Sequence, residues 1–182
     1  MPNLIQLIFV EYRRRLFWIP ILVGLAIALF SPVDVLRYTV ARTIVNVMAG
    51  IVPMIDHIDA QYELAQVLQL YFSVMWMSAP IIYFSLDIGS KTDQFAEIKA
   101  HHAPFWLRYV VMVAFFLFAI QILFFSKFDP FEGPGRDYFI SHSRIGMATY
   151  GGVIVFGFAA LAKLLVMWGS RFREIYFNGG EK

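Results

Sequence analysis

Cysteine is absent from all 182 residues. Without a thiol the chain has no disulfide staple, no thiolate metal site and no thiol redox chemistry. Charge is also scarce: Asp, Glu, Lys and Arg make up 15% of the residues, against about a quarter in an average soluble domain. Net charge is +2 and no basic block interleaved with aromatics occurs, so a nucleic-acid partner has no electrostatic footprint here. None of the familiar hydrolase, kinase, phosphate-loop or zinc-protease patterns is present, no internal repeat is evident, and no cofactor is expected.

Apolar and aromatic side chains fill the space that charge leaves. The chain is 59% hydrophobic and 18% aromatic, with 19 Phe, 9 Tyr and 4 Trp. That composition suits lipid-facing and interfacial positions better than a water-soluble core. Crossing the hydrocarbon of a bilayer takes about 20 mainly apolar residues, and a helix satisfies its own backbone there. The expected fold is therefore all-α: one polytopic membrane domain, residues 1–182, with four transmembrane helices at about 16–33, 64–86, 105–126 and 145–168. Residues 2–11 are apolar but too short to cross, so they lie at the interface or extend the first helix. After Arg15 the apolar run is long enough to span and no small-x-small site follows it, so it is expected to be a permanent anchor and not a cleaved signal. Pro20 and Pro80 fall inside spans; each removes a backbone donor, and Ser78 is the hydroxyl expected to ease the second.

The fourth run is rich in small residues. Ala148 and Gly152 are four apart, with Gly146, Gly151, Gly157, Ala159 and Ala160 nearby, a stripe on which neighbouring backbones can approach closely. Ala148 and Gly152 are therefore expected to bind other helices.

Two larger loops, 34–63 and 127–144, join the spans on one side. In the first, Leu36, Val40, Ile44, Val47, Met48 and Ile51 recur at helical spacing with Arg37, Arg42, Thr43 and Asn46 between them, which predicts an amphipathic surface helix. Of the 15 Lys and Arg, ten (Arg13, Arg14, Arg15, Lys91, Lys99, Arg108, Lys163, Arg171, Arg173, Lys182) fall on the opposite side. That side is expected to be cytoplasmic, with both termini inside. Trp18, Trp106 and Trp168 fall at the same face and, with Arg13, Arg14 and Arg15, are the expected membrane anchors. A bacterial inner (plasma) membrane is the expected location.

Three clusters are candidate sites. Asp56, His57, Asp59 and Glu63 offer oxygen ligands and one imidazole to a divalent cation; the commoner use of such a cluster is an acidic helix start, which satisfies free N–H groups and complements the dipole. In the second outer loop, Asp129, Asp137 and His142 are candidate acid–base groups, whereas Phe128, Phe131, Arg136 and Tyr138 favour a recognition surface. His101 and His102 are adjacent, so on a helix they point about 100° apart and cannot chelate as an i, i+4 pair would. Between the expected interfaces no acidic residue occurs, and Arg108 and Lys163 lie within snorkelling reach of one face, which disfavours an ion or proton pathway. Gln66, Gln69 and Gln121 are expected to make interhelical hydrogen bonds.

The expected function is non-enzymatic: a subunit or accessory of an envelope complex that works by helix and outer-loop contacts, with lipid and other membrane proteins as partners. Within that class, the segment from Tyr71 to Ala79-Pro80 and the run Phe125-x-x-Phe128-Asp129 leading to Gly135-Arg136 resemble the colicin A type of immunity proteins. The resemblance covers short patches, and the chain departs from that family's Lys-Thr before Ala-Pro. It implies blocking of a pore-forming toxin within the inner membrane. The competing reading is a membrane enzyme at the outer interface using Asp129, Asp137 and His142. Asp137→Asn and His142→Ala separate the two: under the contact reading both variants keep the cellular phenotype, and loss of it with either one supports the enzyme.

Overall fold

A computed structural model describes residues 4–58, 62–86, 104–121, 140 and 142–177. These residues form helices and turns, with no strand among them. Helix α1 (Leu4–Phe30) runs without a break through the residues expected at the interface and through Arg13, Arg14 and Arg15, so its start lies well before residue 16. It stops at Phe30, just before Ser31-Pro32, where the proline ring disfavours helical backbone at the preceding residue.

The first connection is packed, not solvated. After a 3-10 turn at Val35–Arg37, helix α2 (Thr39–Ala49) buries Ala41, Val45 and Met48, at the i, i+4, i+7 spacing of one helical face. Arg42, Thr43 and Asn46 stay exposed, as do Val40 and Val47. A second 3-10 turn, Pro53–Ile55, buries Met54 and Ile55. Two glutamines fasten this connection to α3 (Ala65–Ser85): Gln66 Oε1 accepts from the Leu36 N–H at 3.1 Å, and Gln69 Nε2 donates to the Ile58 carbonyl at 3.5 Å. These two bonds tie helix to connection and not helix to helix.

Helix α3 is the centre of the bundle. It packs on α1, on α2 and on α5 (Gly152–Tyr176), and it buries Leu68, Tyr71, Phe72, Met75, Trp76 and Ile82 among others, leaving one strip, Met77, Ile81 and Phe84, exposed. Pro80 removes the donor that would serve the Trp76 carbonyl; Ser78 does not compensate, since its Oγ donates to the Met75 carbonyl at 2.7 Å. Helix α4 (Phe105–Ile120) packs chiefly on α5. Its Tyr109 stacks on Phe172 and its Phe116 on Phe158, at ring-centroid distances of 5.1 and 5.2 Å. A helical turn, Arg144–Gly146, and a π-helical turn, Met147–Gly151, lead into α5.

Among the described residues, two helices, Ala65–Ser85 and Arg144–Ser170, are long and apolar enough to cross a membrane. Arg15–Phe30 and Phe105–Ile120 are apolar but shorter, and residues 122–126 of the third expected span lie outside the described part. The two long helices differ in environment: α3 is more than half buried within the bundle, whereas most of Arg144–Ser170 is not.

The closest packing centres on Tyr71, whose side chain is 2% exposed. Its ring is pressed between the backbones of two other helices. A Cβ added at Gly151 would lie 2.6 Å from Tyr71 Cε1, and one added at Gly24 would lie 2.7 Å from Met75 Sδ and 3.4 Å from Tyr71 Cε2. Neither position has room for a side chain while Tyr71 and Met75 stay in place. A Cβ at Gly157, by contrast, meets nothing within 4 Å. Thermal unfolding in detergent should therefore show Gly151→Ala destabilising by about 1–3 kcal/mol, the usual cost of overpacking, whereas Gly157→Ala is neutral or stabilising by up to ~1 kcal/mol from helix propensity. Equal effects at the two glycines would mean that the Tyr71 contact does not limit the packing.

Candidate functional site

A helix ends with four carbonyls that have no partner within it. At the C-terminus of α3 two cations from other helices supply donors. From α1, Arg13 Nη2 donates to the Leu86 carbonyl at 2.9 Å. From α5, Lys163 Nζ donates to the Tyr83 carbonyl at 3.0 Å and also to that of Leu86. Both charges sit at the negative end of the α3 dipole, where cations are stabilising. The Lys163 ammonium also lies 5.7 Å from the centre of the Tyr83 ring. At the opposite end of the bundle the same device holds α1: Arg144 Nη1 donates to the carbonyls of Ala28 and Leu29 at 3.0 and 3.3 Å.

Beside the α3 terminus is a cavity of about 570 Å³, lined by Tyr12, Arg13, Leu16, Pro80, Ile81, Phe84, Ser85 and Lys163. Its lining is apolar except for the two cations and the hydroxyl-bearing Tyr12 and Ser85. Ser85 is buried, and its Oγ has no hydrogen-bond partner among the described atoms. A second space, about 510 Å³, is a groove between α4 and α5 lined by Leu107, Arg108, Val111, Met112, Phe115, Leu161 and Trp168. It is more open and carries a single cation. Among the described residues, neither space brings together a nucleophile, a base and an acid.

The residues singled out from the sequence fall as follows. Asp56 and His57 are exposed in the turn after Pro53–Ile55, Glu63 is exposed before α3, and Asp59 lies outside the described residues. No group of three or more metal-ligating side chains occurs among the described residues. Nor does Glu63 cap α3, whose N-cap is Leu64 with no side-chain cap. Of Asp129, Asp137 and His142, only His142 is described; it is exposed, its ring 5.9 Å from that of Tyr62. Phe128, Phe131, Arg136 and Tyr138, and the histidines at 101 and 102, lie outside the described part.

Ala148 is half-buried, and Gly152 is buried with Tyr71 Oη 3.4 Å from where its Cβ would be. The close approach expected of that stripe is thus made at least in part by α3 of the same chain. Trp18 and Trp106 are exposed, Trp168 meets Phe105 in a tilted pair with ring centroids 5.7 Å apart, and Arg15 is exposed, while Arg14 lies on α1. Gln121 is exposed at the end of α4. The patch from Tyr71 to Pro80 is the buried heart of α3, and the Phe125 to Arg136 run lies outside the described residues.

Sequence reasoning placed Arg13 and Lys163 at one interface but did not bring them together on the end of α3. The available signal was a lone lysine within an otherwise uncharged run of small and apolar residues. Lys163→Met should destabilise the fold by about 1.5–3 kcal/mol, the range for hydrogen bonds from a charged group, and Lys163→Arg should recover most of it. Arg144→Met should cost a similar amount at the other end, and denaturant unfolding of the purified chain reads both. Compared with known proteins, the chain matches no family model, no curated protein and no solved structure.

Proposed function

We propose that this chain is an integral membrane protein that crosses the bilayer four times and works by contact, as a subunit or accessory of a larger envelope assembly. One observation carries the reading: the apolar perimeter is left uncovered by the fold. Helix α4 has no buried residue, with Val111, Phe115 and Phe118 about three-fifths exposed, and Val153 and Val166 on α5 and Leu22 on α1 are exposed in the same way. A contiguous apolar surface of this extent is costly in water and marks a lipid or protein interface. Hydrocarbon removes the cost, since lipid tails solvate Leu, Val and Phe as well as a core does.

The two shorter helices fit the same picture. Sixteen helical residues rise about 24 Å, somewhat less than the ~30 Å of hydrocarbon, and the long side chain of Arg15 snorkels to make up the difference. In this reading α2 lies along the outer interface with Val40 and Val47 toward lipid, and the basic excess keeps both termini in the cytoplasm. Asp and Glu are missing from the expected spans, which favours contact over transport.

Because the chain has no native cysteine, single substitutions report topology directly. Val40→Cys and Asp137→Cys should react with an impermeant maleimide from outside the cell, and Lys99→Cys only after lysis; labelling of Val40→Cys and Asp137→Cys from opposite sides rejects the four-span arrangement. The contact claim has a separate readout. In mild detergent the chain should elute in a complex larger than itself, and truncating Val111, Phe115 and Phe118 to alanine should shrink the share recovered there. A chain recovered only by itself contradicts it.

A further inference from the structure

We propose that the groove between α4 and α5 holds one anionic phospholipid, its phosphate on Arg108 and an acyl chain along the seam below. The inference rests on the membrane reading above, which puts the start of α4 at the depth of the cytoplasmic headgroups. A space of about 510 Å³ falls within the ~300–1,000 Å³ typical of small-molecule sites. The distribution of polar and apolar groups along it decides the occupant.

The polar groups stand at one end. Phe116 of α4 pairs with Phe158 of α5, and Tyr109 with Phe172, so the two helices run antiparallel. Arg108, near the start of α4, and Trp168, toward the end of α5, therefore lie at the same end of the groove that both line. Arg144 closes a helix end, whereas Arg108 is half-buried and makes no hydrogen bond or ion pair among the described residues. The indole N–H of Trp168 has no acceptor among them either. Arg108 also stands about one turn inside the N-terminus of α4, whose first turn has no acidic side chain and whose N-cap, Pro104, makes no side-chain bond. A cation near the positive end of a helix dipole is disfavoured unless an anion joins it. A phosphodiester brings that anion, with oxygens for a bidentate guanidinium contact and for the indole.

Beyond those donors the groove is apolar. Val111, Met112 and Phe115 continue it along α4 to about two turns past Arg108, roughly 10 Å, and Leu161 continues it on α5. Met112 and Leu161 are half-buried, whereas Val111 and Phe115 are exposed at the flank of the bundle. An anion without a hydrocarbon tail leaves this wall bare, and a tail without an anion leaves Arg108 unanswered. Anionic lipids of the cytoplasmic leaflet are also the ones that basic residues at this depth attract. Val110, Leu117 and Phe118 are exposed and do not line the groove, so a lipid there leaves a strip of α4 open to protein.

Native mass spectrometry of the full chain, released from detergent with phosphatidylglycerol and phosphatidylcholine present in equal amounts, tests this. Phosphatidylglycerol should be retained about tenfold over phosphatidylcholine, as expected for one added charged hydrogen bond. Arg108→Gln should abolish that preference and Arg108→Lys should keep part of it. Trp168→Phe keeps a ring against Phe105 and removes only the indole donor, so it should lower retention of both lipids by about threefold. If Arg108→Gln fails to fold, Trp168→Phe decides the matter by itself. Arg173→Gln, at an exposed position on the same side, should leave the preference in place.

Equal retention of the two lipids, or a preference unchanged in Arg108→Gln, overturns the proposal. Retention unchanged in Trp168→Phe does the same. An equal loss in Arg173→Gln also overturns it, since that would be diffuse attraction to a basic face and not a site. Inorganic phosphate that displaces phosphatidylglycerol at equal concentration would show a site that reads phosphate and not lipid, and a dimer that carries no lipid would give the groove to a second copy. A parallel flotation with neutral phosphatidylcholine vesicles separates the two levels of inference. A chain that never enters the vesicles rejects the membrane reading itself, whereas one that enters without discriminating between lipids rejects only the lipid site.

Discussion

The terminal carbonyls of a helix must find donors wherever water is scarce, and the arrangement of this bundle follows from how they do so. Helix α3 ends at Ser85 among apolar neighbours, and its last carbonyls receive Arg13 from α1 and Lys163 from α5. Helix α1 ends at Phe30, and its carbonyls receive Arg144 from the turn that leads into α5. Each donor is a cation at the negative end of a dipole, so hydrogen bond and field act together. Because each cation belongs to a different element from the helix it serves, satisfying a terminus also fixes which helices are neighbours and in what register.

Between those tied ends, sterics takes over. The Tyr71 ring occupies the place where a side chain at Gly151 would have stood, and Met75 the place of one at Gly24. Glycine costs about 1 kcal/mol in a helix interior, a cost that dispersion across the close approach offsets. Helix α3 buries more than half of its residues because the first connection also folds over it: α2 and the turn at Pro53–Ile55 contribute Val45, Met48, Met54 and Ile55 to the same core. Gln66 and Gln69 then hold that cover by its backbone. A polar side chain on an apolar helix here spends its hydrogen bonds on a neighbouring connection, where unpaired N–H and C=O groups are available.

Local periodicity made the helices legible. The uncharged run at 64–86 corresponds to α3 at Ala65–Ser85, the run at 145–168 to the helix Arg144–Ser170, and the spacing of Leu36, Val40, Ile44, Val47, Met48 and Ile51 to the helix α2, although the face it buries is that of Ala41, Val45 and Met48 while Val40 and Val47 are exposed. Composition and period are properties of neighbours in sequence, and these elements depend on little else. Contacts between distant segments were not legible. Arg144 and Ala28 are 116 residues apart, and Lys163 and Leu86 are 77 apart. Nothing in the local pattern says that an arginine in a loop will close a helix end instead of gripping an anion. Tyr71 is the same case: in sequence it is one aromatic among many, and its role comes from two glycines on other helices. Of the acidic residues before α3, Glu63 is exposed and does not cap the helix, since Leu64 holds the N-cap position.

The contrast between α3 and α4 bears most directly on function. Both are apolar, yet α3 buries more than half of its residues while α4 buries none and packs chiefly on α5. Three aromatic pairs, Tyr109 with Phe172, Phe116 with Phe158 and Phe105 with Trp168, join it to α5. Such pairs are worth about 0.5–1.5 kcal/mol each beyond their area, far less than the many contacts that enclose α3. A helix attached along one seam separates from its neighbour more readily than one packed on three neighbours. The fold therefore divides into an inner unit of α1, α2 and α3 with the start of α5, closed by cross-helix caps, and an outer helix whose apolar face is left for whatever surrounds the protein. Binding to that face need not disturb the Tyr71 packing, so a surface helix can adapt to a partner or to lipid while the core keeps its register.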